Sequence, residues 1–272
     1  MKLRYLSMIV CLFLTSCGQT IHSKTNLTVG EIKKTPNKEV TYLEVTQPHT
    51  DSQIIFIHGS PGEKEGYLDY LSKTELQSKA TLISIDRIGF GQSKLTPEPS
   101  IIAQAQAIAP LLSQNTILVG HSLGGPIALQ VALLYPEQIK GMIIVAPAFD
   151  PSLEEPKWYN WLAAYPPVSW VLSEPMLTSN KEMMPLADEL TKLAEKNWNN
   201  LNMPITLIHG EEDSIADPRN SLFAMKLLPE SNTKLIMAQR EGHFVLWQNV
   251  ELISREIELI LDRVNAINLS LE

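Results

Sequence analysis

Residues 116–136 read TILVGHSLGGPIALQVALLYP. A short apolar run meets Gly120-His121-Ser122-Leu123-Gly124-Gly125, and a helical pattern begins there. A sharp turn from strand to helix leaves little room for neighbouring side chains, and glycine has no Cβ to clash. Such a turn lifts a serine hydroxyl above the sheet at the start of the helix. It also leaves the Leu123 N–H free to face a developing negative charge. The Gly-x-Ser-x-Gly spacing therefore has the form of a nucleophile elbow. A serine that merely caps the helix would fit the same letters.

Working outward, short apolar runs recur at 40–46, 53–58, 81–86, 116–120, 141–146, 204–210 and 233–238. Most are apolar throughout rather than alternating, as expected of strands covered on both faces. Helical patterns lie near 66–78, 100–113, 123–134 and 218–228, with a last one near 246–264. This alternation predicts an α/β fold, a mostly parallel sheet with helices on both faces and right-handed crossovers. Residues 147–203 contain no good strand, but hold Trp158, Trp161, Trp170 and Trp198 among several prolines. A connection this long is read as a small helical cap. Its aromatics are expected to divide between packing on the core and lining a pocket. The resulting division is a core of 39–146 and 204–268 with the cap, 147–203, inserted.

A serine hydroxyl needs a base. Six histidines are present. His22 and His49 lie in early polar sequence, and His58, His121 and His209 each adjoin a glycine at a strand end. Only His243, in REGHFVLWQN, follows the last apolar run. The base in turn needs an orienting carboxylate. PITLIHGEEDSIADP, residues 204–218, offers Glu211, Glu212, Asp213 and Asp217. Asp213 is best placed, a few residues past the end of a strand. Asp217 precedes Pro218 and suits a helix cap, and Glu211 and Glu212 suit solvent. The chain order is then Ser122, Asp213, His243.

That order resembles the α/β-hydrolase superfamily over roughly residues 40–265. HGSPG (58–62) is similar to the family's loop after its third strand, and DRIGFGQS (86–93) to its Asp-x-x-Gly-x-Gly-x-Ser turn after the fourth. The resemblance implies a Ser122–His243–Asp213 triad and an oxyanion hole formed by the N–H groups of Ser60 and Leu123. His58 would support that loop rather than transfer protons. The implied activity is hydrolysis of carboxylic esters of small to medium acyl substrates. Carbon–carbon bond hydrolysis, aminopeptidase activity and a non-catalytic binding lipoprotein stay open. Leu123 departs from the Trp that follows the nucleophile in the family's prolyl aminopeptidases. No His-Glu-x-x-His pattern, Cys/His cluster or convincing phosphate loop appears, so neither a metal nor a cofactor is expected.

The chain of 272 residues carries a formal charge of −8. That excludes a nucleic-acid partner in the usual basic-patch sense, and also docking on anionic lipid by charge alone. Lys2 and Arg4 precede an apolar stretch too short for a comfortable membrane span. Leu14-Thr15-Ser16-Cys17 then resembles the lipobox of bacterial lipoproteins. The resemblance implies a signal peptide over 1–16, acylation of Cys17 and a tether over 17–38. It implies residence in the cell envelope, on the outer membrane in a Gram-negative source, because Gly18 rather than Asp follows. Cleavage would also remove Cys11, leaving no pair for an intrachain disulfide.

Overall fold

The computed structural model of the chain describes residues 40–46, 50–93 and 96–269. The expected signal peptide (1–16), Cys17 and the expected tether (17–38) lie outside the described residues. Seven strands form one sheet: β1 Thr41–Val45, β2 Gln53–Ile57, β3 Thr81–Asp86, β4 Thr116–His121, β5 Ile139–Val145, β6 Ile205–Gly210 and β7 Thr233–Ala238. Their spatial order is β1-β3-β2-β4-β5-β6-β7. Every pairing is parallel except β1 with β3, which is antiparallel. The 40–46 run is thus the one antiparallel strand of the mostly parallel sheet that was expected. The connection from β1 to β2 is too short to carry a crossover helix, so the chain must reverse.

Six helices of eight or more residues accompany the sheet: α1 Ile101–Ile108, α2 Gly124–Leu134, α3 Glu174–Met183, α4 Leu186–Ala194, α5 Arg219–Leu227 and α6 Val250–Leu269. The continuous apolar runs are explained by a core on each side of the sheet. Ile55, Ile57, Leu118 and Ile144 face one cluster with Ile127 of α2, Ala105 of α1 and Leu190 of α4. Their neighbours Ile54, Phe56, Val119 and Ile143 face the other, with Ile253, Ile257 and Leu261 of α6. Side-chain period two sends successive residues to opposite faces, and both faces are covered.

The connection from β5 to β6 contains helices and no strand. It is not a loose flap. Leu186, Leu190 and Leu193 of α4 and Trp198 belong to the sheet's core. The Trp198 indole N–H donates to Leu193 O at 2.8 Å, and its ring stands 5.3 Å from that of Phe149. The other three tryptophans of this stretch correct the expectation that its aromatics pack or line a pocket. Trp158, Trp161 and Trp170 face outward. They sit on two short helical segments, Trp158–Ala163 and Val168–Val171, separated by Pro166 and Pro167. It is Asn160 that turns inward, and its amide donates to Asn180 Oδ1 of α3 at 3.0 Å.

Because Trp198 fixes this connection to the core, Trp198→Ala should cost about 3–5 kcal/mol of unfolding free energy. A urea titration followed by circular dichroism checks this, with the midpoint expected to fall well below that of the unaltered chain.

Candidate active site

The turn from β4 to α2 is built by exclusion. A Cβ on Gly120 would lie 2.4 Å from Gly124 O, and one on Gly124 would lie 2.2 Å from Ile57 O. Between them Ser122 adopts φ 54°, left-handed backbone that few L residues occupy. Its N–H donates to Val145 O, and its carbonyl accepts from Gly125 N–H, both at 2.9 Å. These bonds hold the turn and leave the side chain part-exposed. Leu123 is the N-cap of α2, so its N–H has no partner within the helix. The HGSPG loop follows β2 and lies directly against this turn: a Cβ on Gly59 would come within 2.8 Å of Ser122 Cβ. Among the described residues no hydrogen bond is donated by Ser60 N–H.

Asp213 and His243 come together from the ends of β6 and β7. His243 Nδ1 lies 2.8 Å from Asp213 Oδ2. A carboxylate can only accept, so Nδ1 carries the hydrogen, and Nε2 keeps the lone pair. The other oxygen, Oδ1, accepts from the N–H groups of Ile215 (2.8 Å) and Ala216 (2.9 Å). His209 adds a contact that the sequence did not announce. Its Nε2 lies 3.2 Å from Asp213 Oδ2 and 3.0 Å from Ala216 O, two acceptors, so it donates there. Burial alone would raise the Asp213 pKa. Hydrogen bonds from His209 and His243 and from the Ile215 N–H overcome that, holding the carboxyl below its ordinary range. Asp213 is therefore a fixed anion under the imidazole. Glu211 and Glu212 are exposed, and Asp217 accepts from Arg219 N–H at the start of α5.

The remaining histidines hold this frame. His121 Nε2 donates to His243 O at 2.9 Å, and its ring stands 4.8 Å from that of His243. Burial, then the neighbouring His243, push its pKa down to about 3. His58 receives the Arg87 N–H on Nε2 (3.0 Å) and donates from Nδ1 to Gly59 O (2.7 Å). Burial and Arg87 keep it neutral well below 6.5. Neither is placed as a second base.

Two buried charge clusters support the loops. Asp86 accepts from Lys64 N and Nζ, Thr41 Oγ1 and Gln92 N, which explains the acid that opens DRIGFGQS. Arg87 beside it donates to the carbonyls of His58 and Gly59, and pairs with Glu182 of α3 at 2.7 and 3.0 Å. Glu182 in turn accepts from the Ser60 hydroxyl at 2.5 Å and from Gln104 at 3.2 Å. The β5–β6 connection thus reaches the Ser60 loop through a buried ion pair. Nothing local in the sequence marks Glu182.

A family model described as alpha/beta hydrolase fold matches residues 53–169. Among curated proteins, Lipase 3 of Moraxella sp. (strain TA144) is 23% identical, across 88% of this chain and 86% of its own. A pimeloyl-[acyl-carrier protein] methyl ester esterase of Pseudoalteromonas atlantica is 31% identical, across only 39% of this chain and 41% of its own. Among solved structures, an alpha/beta superfamily hydrolase from Oenococcus oeni PSU-1 has a TM-score of 0.64 at 17% identity. It covers 87% of this chain and 100% of that one.

The buried neutral histidines give the fold a pH signature. An unfolded chain protonates His121 near 6.5, whereas the native chain resists until about 3. Stability from this source is complete above 6.5 and drains as pH falls toward 3, at up to about 1.4 kcal/mol per pH unit. Urea unfolding between pH 7 and pH 4 should show that slope, and His121→Asn should make it shallower.

Proposed function

We propose that this chain is an α/β-hydrolase, as its partial family-model match and its fold support, and that it cleaves carboxylic esters through an acyl-enzyme on Ser122. The observation that carries the reading is the left-handed Ser122 at the mouth of β4, with a histidine–carboxylate pair at the ends of the strands beyond it. His243 Nε2 takes the Ser122 proton as Oγ attacks the acyl carbonyl carbon. The N–H groups of Ser60 and Leu123 receive the oxyanion. The intermediate then expels the alkoxide, which takes its proton from His243. Water, deprotonated by the same imidazole, attacks the acyl-enzyme and releases the acid. Asp213 fixes the imidazole tautomer and steadies the imidazolium. The relatives' names, a lipase and a methyl ester esterase, support the ester class. The 147–203 insertion, read as a cap, favours small to medium acyl groups over bulk lipid.

A fluorophosphonate probe and a p-nitrophenyl ester series test this. One adduct is expected at Ser122, and Ser122→Ala should lose both the adduct and roughly four or more orders of magnitude in turnover. A folded chain that takes no adduct and turns over no ester would leave a binding protein instead.

The second part of the reading is location. A lipobox ending at Cys17 supports a lipid-anchored envelope protein, on the outer membrane in a Gram-negative source. Several acyl chains anchor stably where one does not. An alkynyl palmitate supplied to expressing cells should label the chain. Cys17→Ala should abolish the label and leave esterase activity in the extract.

A further inference from the structure

Residues 158–173, WYNWLAAYPPVSWVLS, carry no charged side chain. Trp158, Trp161, Leu162, Tyr165, Trp170 and Val171 all face solvent, Trp170 at 78% and Val171 at 82% exposure. Large apolar side chains scattered singly over a surface need no explanation, but a cluster of this kind marks a surface that something covers. The segment is held in this posture. The Asn160 and Asn180 amides bond one another and the Asn160 carbonyl, so the polar side faces α3 and the rings are left outside.

The composition points to the occupant. Trp and Tyr pair an apolar ring with one hydrogen-bonding group, which suits the boundary between acyl chains and headgroups. Patches that meet protein are enriched in Arg among their aromatics and carry a polar rim. Here Lys157 and Glu174 bracket the stretch, and no charge enters it. A chain of formal charge −8 gains nothing from anionic lipid, so ring burial would have to supply the attraction. Chain length gives a second argument. Cys17 and Val40 can be separated by at most roughly 80 Å of extended backbone. A lipidated Cys17 would therefore keep this face within reach of the bilayer and raise its effective concentration there. The patch begins four residues after Glu154, whose carboxyl accepts from Asn220 of α5 at 2.8 Å. The site's own loops expose Ile215 and Phe244.

We infer that the 158–173 surface docks on a bilayer, burying its tryptophans in the interfacial layer of zwitterionic lipid. Docking of this kind is independent of salt, and it separates from anchoring by its readout. The full chain is mixed with phosphatidylcholine vesicles, or with matched vesicles carrying brominated acyl chains, and tryptophan emission is measured. Bromolipid should quench the emission equally at low and high salt. The triple variant Trp158→Ser, Trp161→Ser, Trp170→Ser should not be quenched, since its remaining Trp198 is buried and Trp247 packs on Tyr67 and His121. Trp170→Ser alone should lose part of the quenching, and thermal unfolding near the unaltered midpoint shows that both variants fold. Flotation with the vesicles reports the anchor separately. Quenching that survives Cys17→Ala supports docking without the anchor. A chain that floats but is not quenched overturns docking and leaves the anchor standing, and one that does neither overturns both. Self-association that the triple substitution abolishes would assign the face to a second copy and overturn the proposal.

Discussion

No side chain fits at residues 120 and 124, and the site is organised around that exclusion. The start of α2 presses on the carbonyls that end β2, where a Cβ on Gly124 would lie 2.2 Å from the Ile57 oxygen. The press forces Ser122 into left-handed backbone and brings Gly59 and Ser60 alongside it. A left-handed serine, a helix start with an unpartnered N–H and an adjoining loop are therefore consequences of one close approach. They are not three separate features. Overpacking such a contact costs about 1–3 kcal/mol and displaces backbone, so the glycines are steric requirements of the turn.

Around that contact the molecule spends buried charge on geometry. Arg87 and Glu182 are almost wholly buried, and between them they hold the carbonyls of His58 and Gly59, the Ser60 hydroxyl and Gln104. A buried ion pair is a weak source of net stability compared with apolar residues of the same volume. What this one does is fix direction: Arg87 holds the His58 and Gly59 carbonyls, and Glu182 holds the Ser60 hydroxyl. Asp213 shows the same economy, with Oδ1 given to two backbone N–H groups and Oδ2 to two imidazoles.

The sheet was legible because its strands are apolar on both faces, which local pattern reports directly. The pairing of Asp213 with His243 was legible because each stands just past an apolar run. What escaped was non-local. The reversal of β1 is encoded in the brevity of the 46–52 connection rather than in the strand's own letters. Arg87 and Glu182 are 95 positions apart, and no periodicity joins them. His209 looked like a glycine-adjacent residue at a strand end, and its contact with Asp213 exists only once the loop after β6 curls back. The outward tryptophans at 158, 161 and 170 were indistinguishable in sequence from Trp198, because aromatic content says nothing about which side of a short helix faces the core.

The partnership of Arg87 with Glu182 makes the insertion inseparable from the fold it interrupts. Excising residues 147–203 would leave the buried Arg87 guanidinium without its carboxylate, and would strip α4 and Trp198 from one face of the sheet. The two parts are therefore a single cooperative unit, and a change in one constrains what the other can become. The inner positions of the same insertion are as fixed as the strands.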